Sequence, residues 1–487
     1  MRLAALDAKS ILAGTLLTSA SEPVLKDRLI RIRGGLIESV EPMPAPPPEA
    51  SNEAQVIDAR DKVVMPGLVN AHCHHTEALQ RSLRDRVPFE LWLPERRAIE
   101  DILDPGYDDL LAANHIALLE NLKHGTTTVL HHLSRRGAID LLEIRACIDA
   151  AERIGVRTFI APSVADAGWH RVVPAHVMSA AAREELDRLG QALDLIAAGP
   201  ATVKGVVAPS SPHTCTDDFL SRCLAMAEER DLLMHTHFLE TRVEAMQRTG
   251  TGETTVERAV RLGLLKPDTS LAHAVHLTDP ELDVLKEKQP AVVHNPCSNA
   301  KLGSGLARIR EMLDRGITVA LGSDGGDTSD GYSLFDQMKM AAVMRRCSEP
   351  DFNTWITATE SVAMATTGGA QALGLRAGRI APGHLADICI LKPGTRMWPA
   401  ADLAQALVYS ENGSSVDTVL VGGAVVLENG ESPRIDEVAL GRQAGELAER
   451  VERARSERAA RKLTPEIADR LQAAEHEYRE AASTPRK

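Results

Sequence analysis

No block of lysine and arginine occurs anywhere in the 487 residues, and the formal net charge is −13. Nucleic acids and anionic membrane surfaces are recognised by clustered basic side chains, so neither is expected as a partner. No apolar run reaches the length needed to cross a bilayer. The one signal-like apolar stretch, Ser10–Ala20, has Asp7 and Lys9 just before it and no long apolar core after it. It reads as a strand and not as an export signal. Cysteine is sparse: seven residues, scattered singly, an odd and unpaired set that suits a reducing cytoplasm. In that compartment the glycosylation sequon Asn412-Gly413-Ser414 has no consequence. No internal repeat is visible.

Apolar residues make up 44% and charged residues 25%, proportions of an ordinary globular protein. The length allows two or three domains. Residues 1–63 read as short strands and turns, with Leu29–Arg33 and Leu36–Val40 flanking the hairpin signal Gly34-Gly35. The proline-rich segment Met43–Ala50 is excluded from a central strand. From about residue 64 short β-branched runs alternate with helical stretches. The strands expected are Leu68–His72, Thr127–His131, Arg157–Ser163, Val203–Pro209, Leu232–His237, Ser270–His273, Ala291–His294 and Thr318–Leu321. Helical periodicity lies between them, over Asp108–Lys123, Leu141–Ile154, Ala180–Ile196 and Asp217–Glu229. The fold class is therefore α/β, a (β/α)8 barrel, with a doubly wound sheet as the structural alternative. Polar residues favour the barrel. His72, His74, His131, His213, His237, His273, His294 and Asp324 all fall at or just beyond strand C-terminal ends, where barrel enzymes place their sites.

After a helix over Asn353–Leu373, short strands return at Ala377–Ala381, Ala386–Leu391, Thr418–Val421 and Ala424–Leu427. The simplest organisation joins residues 1–63 and 376–430 into one small β-sandwich domain, split in sequence by the barrel of residues 64–375. Residues 431–487 form a helical C-terminal extension, strongly charged from Glu437, with Thr464-Pro465-Glu466 as a helix start. Its apolar positions are mostly alanine, so it packs on the barrel or on a second subunit.

Five features carry chemistry. His72-Cys73-His74 ends the first strand; alternation puts both imidazoles on one face and Cys73 on the other. His235-Thr236-His237-Phe238-Leu239-Glu240 ends the fifth, and the spacing lets His237 face a metal while Glu240 comes over it from the following loop. His273 ends the sixth strand, His294–Leu302 follows the seventh, and Gly322-Ser323-Asp324-Gly325 ends the eighth.

These motifs, PGLVNAHCH, HTHFLE, LAHAVHL, HNPCSNAKLGSG and LGSDG, resemble those of the amidohydrolase superfamily, and in its order. The likeness covers roughly residues 25–430. Within the superfamily it is similar to the branch of cytosine, guanine and methylthioadenosine deaminases and triazine hydrolases. That resemblance implies a TIM barrel with one divalent metal, zinc first, iron or cobalt as alternatives, and a homodimer or homotetramer acting on a small molecule. Carried over position by position, it makes His72, His74, His237 and Asp324 the metal ligands, Glu240 the proton shuttle, and His273 the group that polarises the bond under attack and orients water. The chemistry is coherent without the analogy. Three neutral imidazoles and one carboxylate suit a borderline metal and leave a position open, and such a metal lowers the pKa of water toward about 7. Asp324 and Glu240 then accept and deliver protons, and His273 stabilises the tetrahedral centre. The bridging lysine of binuclear relatives is not expected, because Lys204 starts the fourth strand instead of ending it.

The sequence departs from its relatives around this set. Where many read PHAPYTCS, this chain has Pro209-Ser210-Ser211-Pro212-His213-Thr214-Cys215-Thr216. The second strand ends in His131-His132 where some deaminases carry Asp and Met. The acidic loop Gly325–Gly331 favours a basic or hydrogen-bond-donating substrate, or is a solvated turn. Trp92, His131, His213 and Asn299 are candidate substrate contacts, and Phe89 and Arg81 further pocket walls. The leading expectation is a hydrolytic deaminase of an aminated purine, pyrimidine, pterin or triazine. The second is cleavage of an amide, urea or carbamate, or displacement of chloride or an alkylamine from a triazine. The third, from another class, is a non-catalytic metal-binding barrel protein, which a broken constellation would signal. The cytidine-deaminase fold is excluded, because Pro296-Cys297 has no second cysteine at the required spacing.

Overall fold

The computed structural model describes residues 8–49, 54–134, 138–167 and 178–460, with 472–473, 475–480 and 483 beyond them. Eight parallel strands close a barrel. They are Leu68–His74, Thr126–Leu133, Arg157–Val164, a split fourth strand at Val203–Gly205 and Ala208–Pro209, then Met234–Phe238, Thr269–His273, Ala291–His294 and a split eighth at Val319–Leu321 and Asp324–Gly325. Closure is made at two seams. Val207 bridges Met234 in parallel, joining the fourth strand to the fifth, and Asp324 and Gly325 pair with Cys73 and His74, joining the eighth to the first. All eight strands expected from the sequence are present. Strands that are buried on both faces read as apolar runs, which is why their positions were legible.

Along these strands alternate residues feed different apolar clusters. Leu68, Val129, Ile160 and Val207 pack with the surrounding helices. Val69, Leu130, Phe159, Ala161, Val206 and Ala208 form a second cluster with Leu373. Ala71, Ala291, Val293 and Ala320 form a third with Ala372. The segment carrying Ala372 and Leu373 therefore fills one end of the barrel. The single helix expected over 353–373 is instead three pieces: Ala358–Ala363, a π turn at Met364–Gly368, and Gly369–Ala372. Thr366 and Thr367 donate to the carbonyls of Val362 and Ala363, which loosens the ladder. A Cβ on Gly368 would stand 2.2 Å from the Val319 carbonyl oxygen, and one on Gly369 2.7 Å from Val69 Cβ. Glycine is needed there for the close approach.

Outside the barrel lies one seven-stranded sheet. It takes Ala8–Leu16, Leu25–Arg33, Leu36–Pro42 and Ala54–Pro66 from before the barrel, and Ile388–Leu391, Val416–Val421 and Ala424–Leu427 from after it. The two parts meet where Val63–Pro66 pairs antiparallel with Ile388–Leu391. The strand expected at Ala377–Ala381 does not form. Gly378 sits at φ +72 with room for no side chain beside the Thr366 carbonyl, so the segment turns instead of extending. The helix Glu437–Ala460 lays Val451 and Ala454 on Ile99 and Leu103 of the helix Phe89–Leu103. The helix start expected at Thr464 lies outside the described residues. No helix among the described residues is long and apolar enough to cross a membrane.

Candidate active site

The first strand delivers His72 and His74 to the C-terminal mouth of the barrel, while Cys73 points away and lies 3.3 Å from the Leu130 carbonyl oxygen. Asp324 stands beside them because the end of the eighth strand pairs with Cys73 and His74. Asn70 fixes that junction: it donates to Ser323 Oγ and accepts from the Ser323 amide. Nε2 of His72 and of His74 lie 3.4 and 3.2 Å from the same Asp324 oxygen, and Nε2 of His237 lies 3.4 Å from that of His74. Ligand atoms of His72, His74 and His237 lie within 4.8 Å of one another, as do those of His72, His273 and Asp324.

The far side of each ring decides which nitrogen faces the cluster. His74 Nδ1 donates to the His132 carbonyl at 2.5 Å, and His237 Nδ1 to the Ser210 carbonyl at 2.8 Å. His72 Nδ1 lies 2.8 Å from His235 Nε2, whose own Nδ1 lies 2.6 Å from Ser270 Oγ, and that hydroxyl has the Met234 carbonyl as acceptor. Read from that carbonyl outward, the chain makes His72 Nδ1 a donor. All three Nε2 atoms are left as bare lone pairs, and that of His72 is buried with no hydrogen-bond partner among the described residues. Burial, then the neighbouring imidazoles, hold His72 well below the usual histidine range, and burial brings His237 to about 3. Three neutral imidazole nitrogens and one carboxylate in this arrangement fit a divalent metal ion.

Glu240, on the loop after the fifth strand, and His273, at the end of the sixth, face this cluster. His273 Nε2 is 3.8 Å from Glu240 Oε2 and 4.0 Å from Asp324 Oδ2. His273 Nδ1 donates to Asn299 Oδ1 at 2.9 Å, so its Nε2 is an acceptor. Burial, reinforced by Asp324, Glu244 and other carboxylates, raises the Glu240 carboxyl well above the usual range. Backbone strain gathers here: Leu239, His273, Ala274 and Asp324 have φ of +48, +75, +46 and +62. Non-glycine residues hold that conformation only where their surroundings impose it, and such positions cluster at functional sites.

A cavity opens over the cluster, walled by Phe89, Trp92, Leu93 and Leu302 on its apolar side and by Ser211, His213 and Thr214 on another. Trp92 and His213, expected as substrate contacts, and Phe89, expected as a pocket wall, line it. His131, Asn299 and Arg81 do not. His131 is buried behind the site, stacked on His75 at 4.0 Å between ring centroids. Asn299 supports His273 from behind, and Arg81 pairs with Glu120. Lys204 is exposed, with its ammonium over the Phe159 ring, and is not part of the pocket.

The acidic residues of the loop after the eighth strand are engaged by partners from other segments. Asp327 is buried and takes Arg84 and the Trp92 indole N–H, and Asp330 takes Lys301 and the Ser82 amide. Beside Asp327 the buried Glu77 carboxyl pairs with Arg96 at 2.9 Å, and burial raises it to about 7. Sequence reasoning missed Glu77, Glu244, Asn70 and the relay role of His235. Only the position of Glu77 and Asn70 within the first-strand motif hinted at the site.

An eight-stranded barrel with this nitrogen and carboxylate cluster at its C-terminal mouth defines a metal-dependent hydrolase. More narrowly, the chain belongs to the amidohydrolase family, whose model matches residues 63–426, and it is a hydrolase acting on carbon–nitrogen bonds. It is 33% identical over 390 residues to the 5'-deoxyadenosine deaminase of Methanothermobacter thermautotrophicus, covering 78% of this chain and 86% of that one. Its structure is similar to that of an adenosine deaminase from Xanthomonas campestris with bound zinc, at TM-score 0.79, 26% identity, and coverage of 91% of this chain and 98% of that one. It is likewise similar to a triazine hydrolase from Arthrobacter aurescens, at TM-score 0.82, 26% identity, and coverage of 91% and 99%.

Proposed function

We propose that this chain is a hydrolytic deaminase of an aminated nitrogen heterocycle, a purine, pyrimidine, pterin or triazine, working with one divalent metal, zinc in the first place. The observation that carries the reading is the convergence of Glu240 and His273 on the cluster of His72, His74, His237 and Asp324. In this reading those four residues hold the metal, which supplies the nucleophile by lowering the pKa of water toward about 7. Asp324, the carboxylate of the cluster, accepts a proton from the attacking water. His273 Nε2, an acceptor because Nδ1 donates to Asn299, takes a hydrogen bond from that water and orients it. Glu240, kept in its acid form by burial and nearby carboxylates, protonates the ring nitrogen or the departing amine. Phe89, Trp92, Leu93 and Leu302 sandwich a flat ring and exclude bulk water.

The same apolar walls, together with the likeness to a triazine hydrolase, favour a second substrate class: chloro- or alkylamino-triazines, or the amide, urea or carbamate of a small aryl compound. One experiment separates the two. Metal content is measured on protein purified without chelator, and ammonia release is screened over aminated heterocycles beside aryl ureas, carbamates and triazines. About one metal per chain with ammonia from a heterocycle supports the first reading, whereas an aniline, alkylamine or chloride released without ammonia moves the assignment to the second. A metal-free protein would overturn both.

The reading extends to organisation. Residues 1–63 and 376–430 act as one β domain around the barrel of residues 64–375, with 431–487 as an extension, supported by the pairing of Val63–Pro66 with Ile388–Leu391. A cytoplasmic location is in keeping with seven cysteines that are all free, and a homodimer or homotetramer is the assembly proposed. Light scattering of the purified protein tests the assembly.

A further inference from the structure

Glu240 sits on a loop whose main chain has to be held in place. Leu239 precedes it at φ +48, a left-handed conformation unfavourable for a leucine. What holds it is Glu244, in the short helix Arg242–Met246. The Leu239 amide donates to Glu244 Oε1 at 2.8 Å and the Glu240 amide to Glu244 Oε2 at 2.7 Å. Each carboxylate oxygen is used by one amide, so only a carboxylate satisfies both; a glutamine would turn an NH2 group against one of the two N–H donors.

Glu244 is 1% exposed, and a buried carboxylate needs polar partners. His213, on the loop after the fourth strand and 2% exposed, places Nδ1 3.3 Å from Glu244 Oε1. Burial pushes the Glu244 carboxyl up, but His213 and the two amides outweigh it and bring it to about 2. One side chain thus ties the loop after the fifth strand to the loop after the fourth, beside the pocket that both line.

We propose that Glu244 is a positioning residue: its carboxylate, paired with His213, clamps the main chain at Leu239 and Glu240 and thereby aims the Glu240 carboxyl at the departing nitrogen. The inference rests on the reading of Glu240 as the proton donor. It also assigns His213 a duty other than substrate contact, as the partner that keeps a buried anion in place.

The test uses the full-length, metal-loaded protein and has two arms. The first is amide hydrogen exchange on wild type, Glu244→Gln and the milder Glu244→Asp, which keeps a carboxylate one methylene shorter. Faster exchange confined to a peptide spanning residues 238–246, with the first-strand peptide 68–74 unchanged, is the expected result. Unchanged exchange at 238–246 overturns the clamp whether or not a substrate has been found.

The second arm is steady-state kinetics on the heterocycle that releases ammonia. Glu244→Gln should lower kcat by about 10- to 100-fold at unchanged metal content, the scale of a reacting group moved by an ångström or less, with KM hardly altered. In a Glu240→Ala background the same change should cost less than about twofold, because residues acting as a unit are not additive. Fully additive losses, or loss of metal from Glu244→Gln, overturn the proposal in favour of a general structural role. Wild-type protein that releases ammonia from nothing overturns the deaminase reading and the catalytic half of this inference with it, while the exchange arm still decides whether the clamp exists.

Discussion

Replacing His235 by phenylalanine should weaken metal binding without touching a ligand. His235 lies 2.8 Å from His72 Nδ1 and passes the interaction to Ser270 Oγ at 2.6 Å and on to the Met234 carbonyl. This chain fixes the tautomer that leaves His72 Nε2 free to bind. Phenylalanine fills the space but accepts no hydrogen bond, so the His72 N–H is left buried and unpaired, at a cost of about 1–3 kcal/mol. The alternative open to His72 is to move its proton to Nε2, which blocks the ligand atom. Loss of such an outer partner costs on the order of 10- to 100-fold in metal affinity, or about 1.4–2.7 kcal/mol. The assay is titration of metal-free protein with zinc against a chromophoric chelator, on wild type, His235→Phe and Ser270→Ala. His132→Phe is the control. His132 is equally buried, its ring centroid 5.8 Å from that of His72, yet among the described residues neither of its nitrogens has a hydrogen-bond partner. The expected order is a large loss for His235→Phe, a smaller one for Ser270→Ala, and little for His132→Phe. Equal affinities for wild type and His235→Phe, or an equal loss in the control, would refute the relay.

Three other outcomes are expected. Glu240→Gln should lower kcat by about 10²- to 10⁴-fold with KM little changed, the usual contribution of a positioned acid–base group; a kcat within a few-fold of wild type would remove Glu240 from the chemistry. A Cβ on Gly325 would fall 1.4 Å from Glu77 Oε2, so Gly325→Ala must displace a buried carboxylate and should destabilise the fold by about 1–3 kcal/mol, seen as a lower thermal midpoint. Burial pulls His294 down to about 3 from 6.5, so below pH 6.5 the unfolded chain takes up a proton that the folded one refuses. Stability from this group is present above pH 6.5 and is lost as pH falls toward 3, by at most about 1.4 kcal/mol per pH unit. Urea unfolding between pH 7 and 4 should therefore show a shallower acid decline in His294→Gln than in wild type, and parallel declines would contradict the sign.

Much of the frame was readable in one dimension. The helices Leu141–Ile154 and Asp217–Glu229 begin and end where their periodicity does. Their caps are local: Asp140 accepts from Leu142 N, and Thr216 from Phe219 N. The strand at Ala377–Ala381 failed because its apolar residues answer to a glycine turn against the Thr366 carbonyl, not to a ladder. The acidic loop misled for a related reason. Charges read along the chain as a patch are consumed by Arg84, Lys301 and a tryptophan brought in from other segments.

The sequence by itself determined the order of strands and helices and which histidines and carboxylates stand at strand ends. Hydrophobic periodicity and strand alternation are local properties, written within a few residues of each other. Tertiary structure alone decided how those groups are oriented and supported. His72 meets His235 across 163 positions of the chain, and Asn70 meets Ser323 across 253. Whether a nitrogen is a lone pair or a donor, and whether a carboxyl is an acid or an anion, depends on partners that only barrel closure brings within hydrogen-bonding distance. Glu240 and Glu244 differ by four positions and carry the same functional group. Burial among carboxylates pushes the carboxyl of one up, and an imidazole with two amides brings that of the other down.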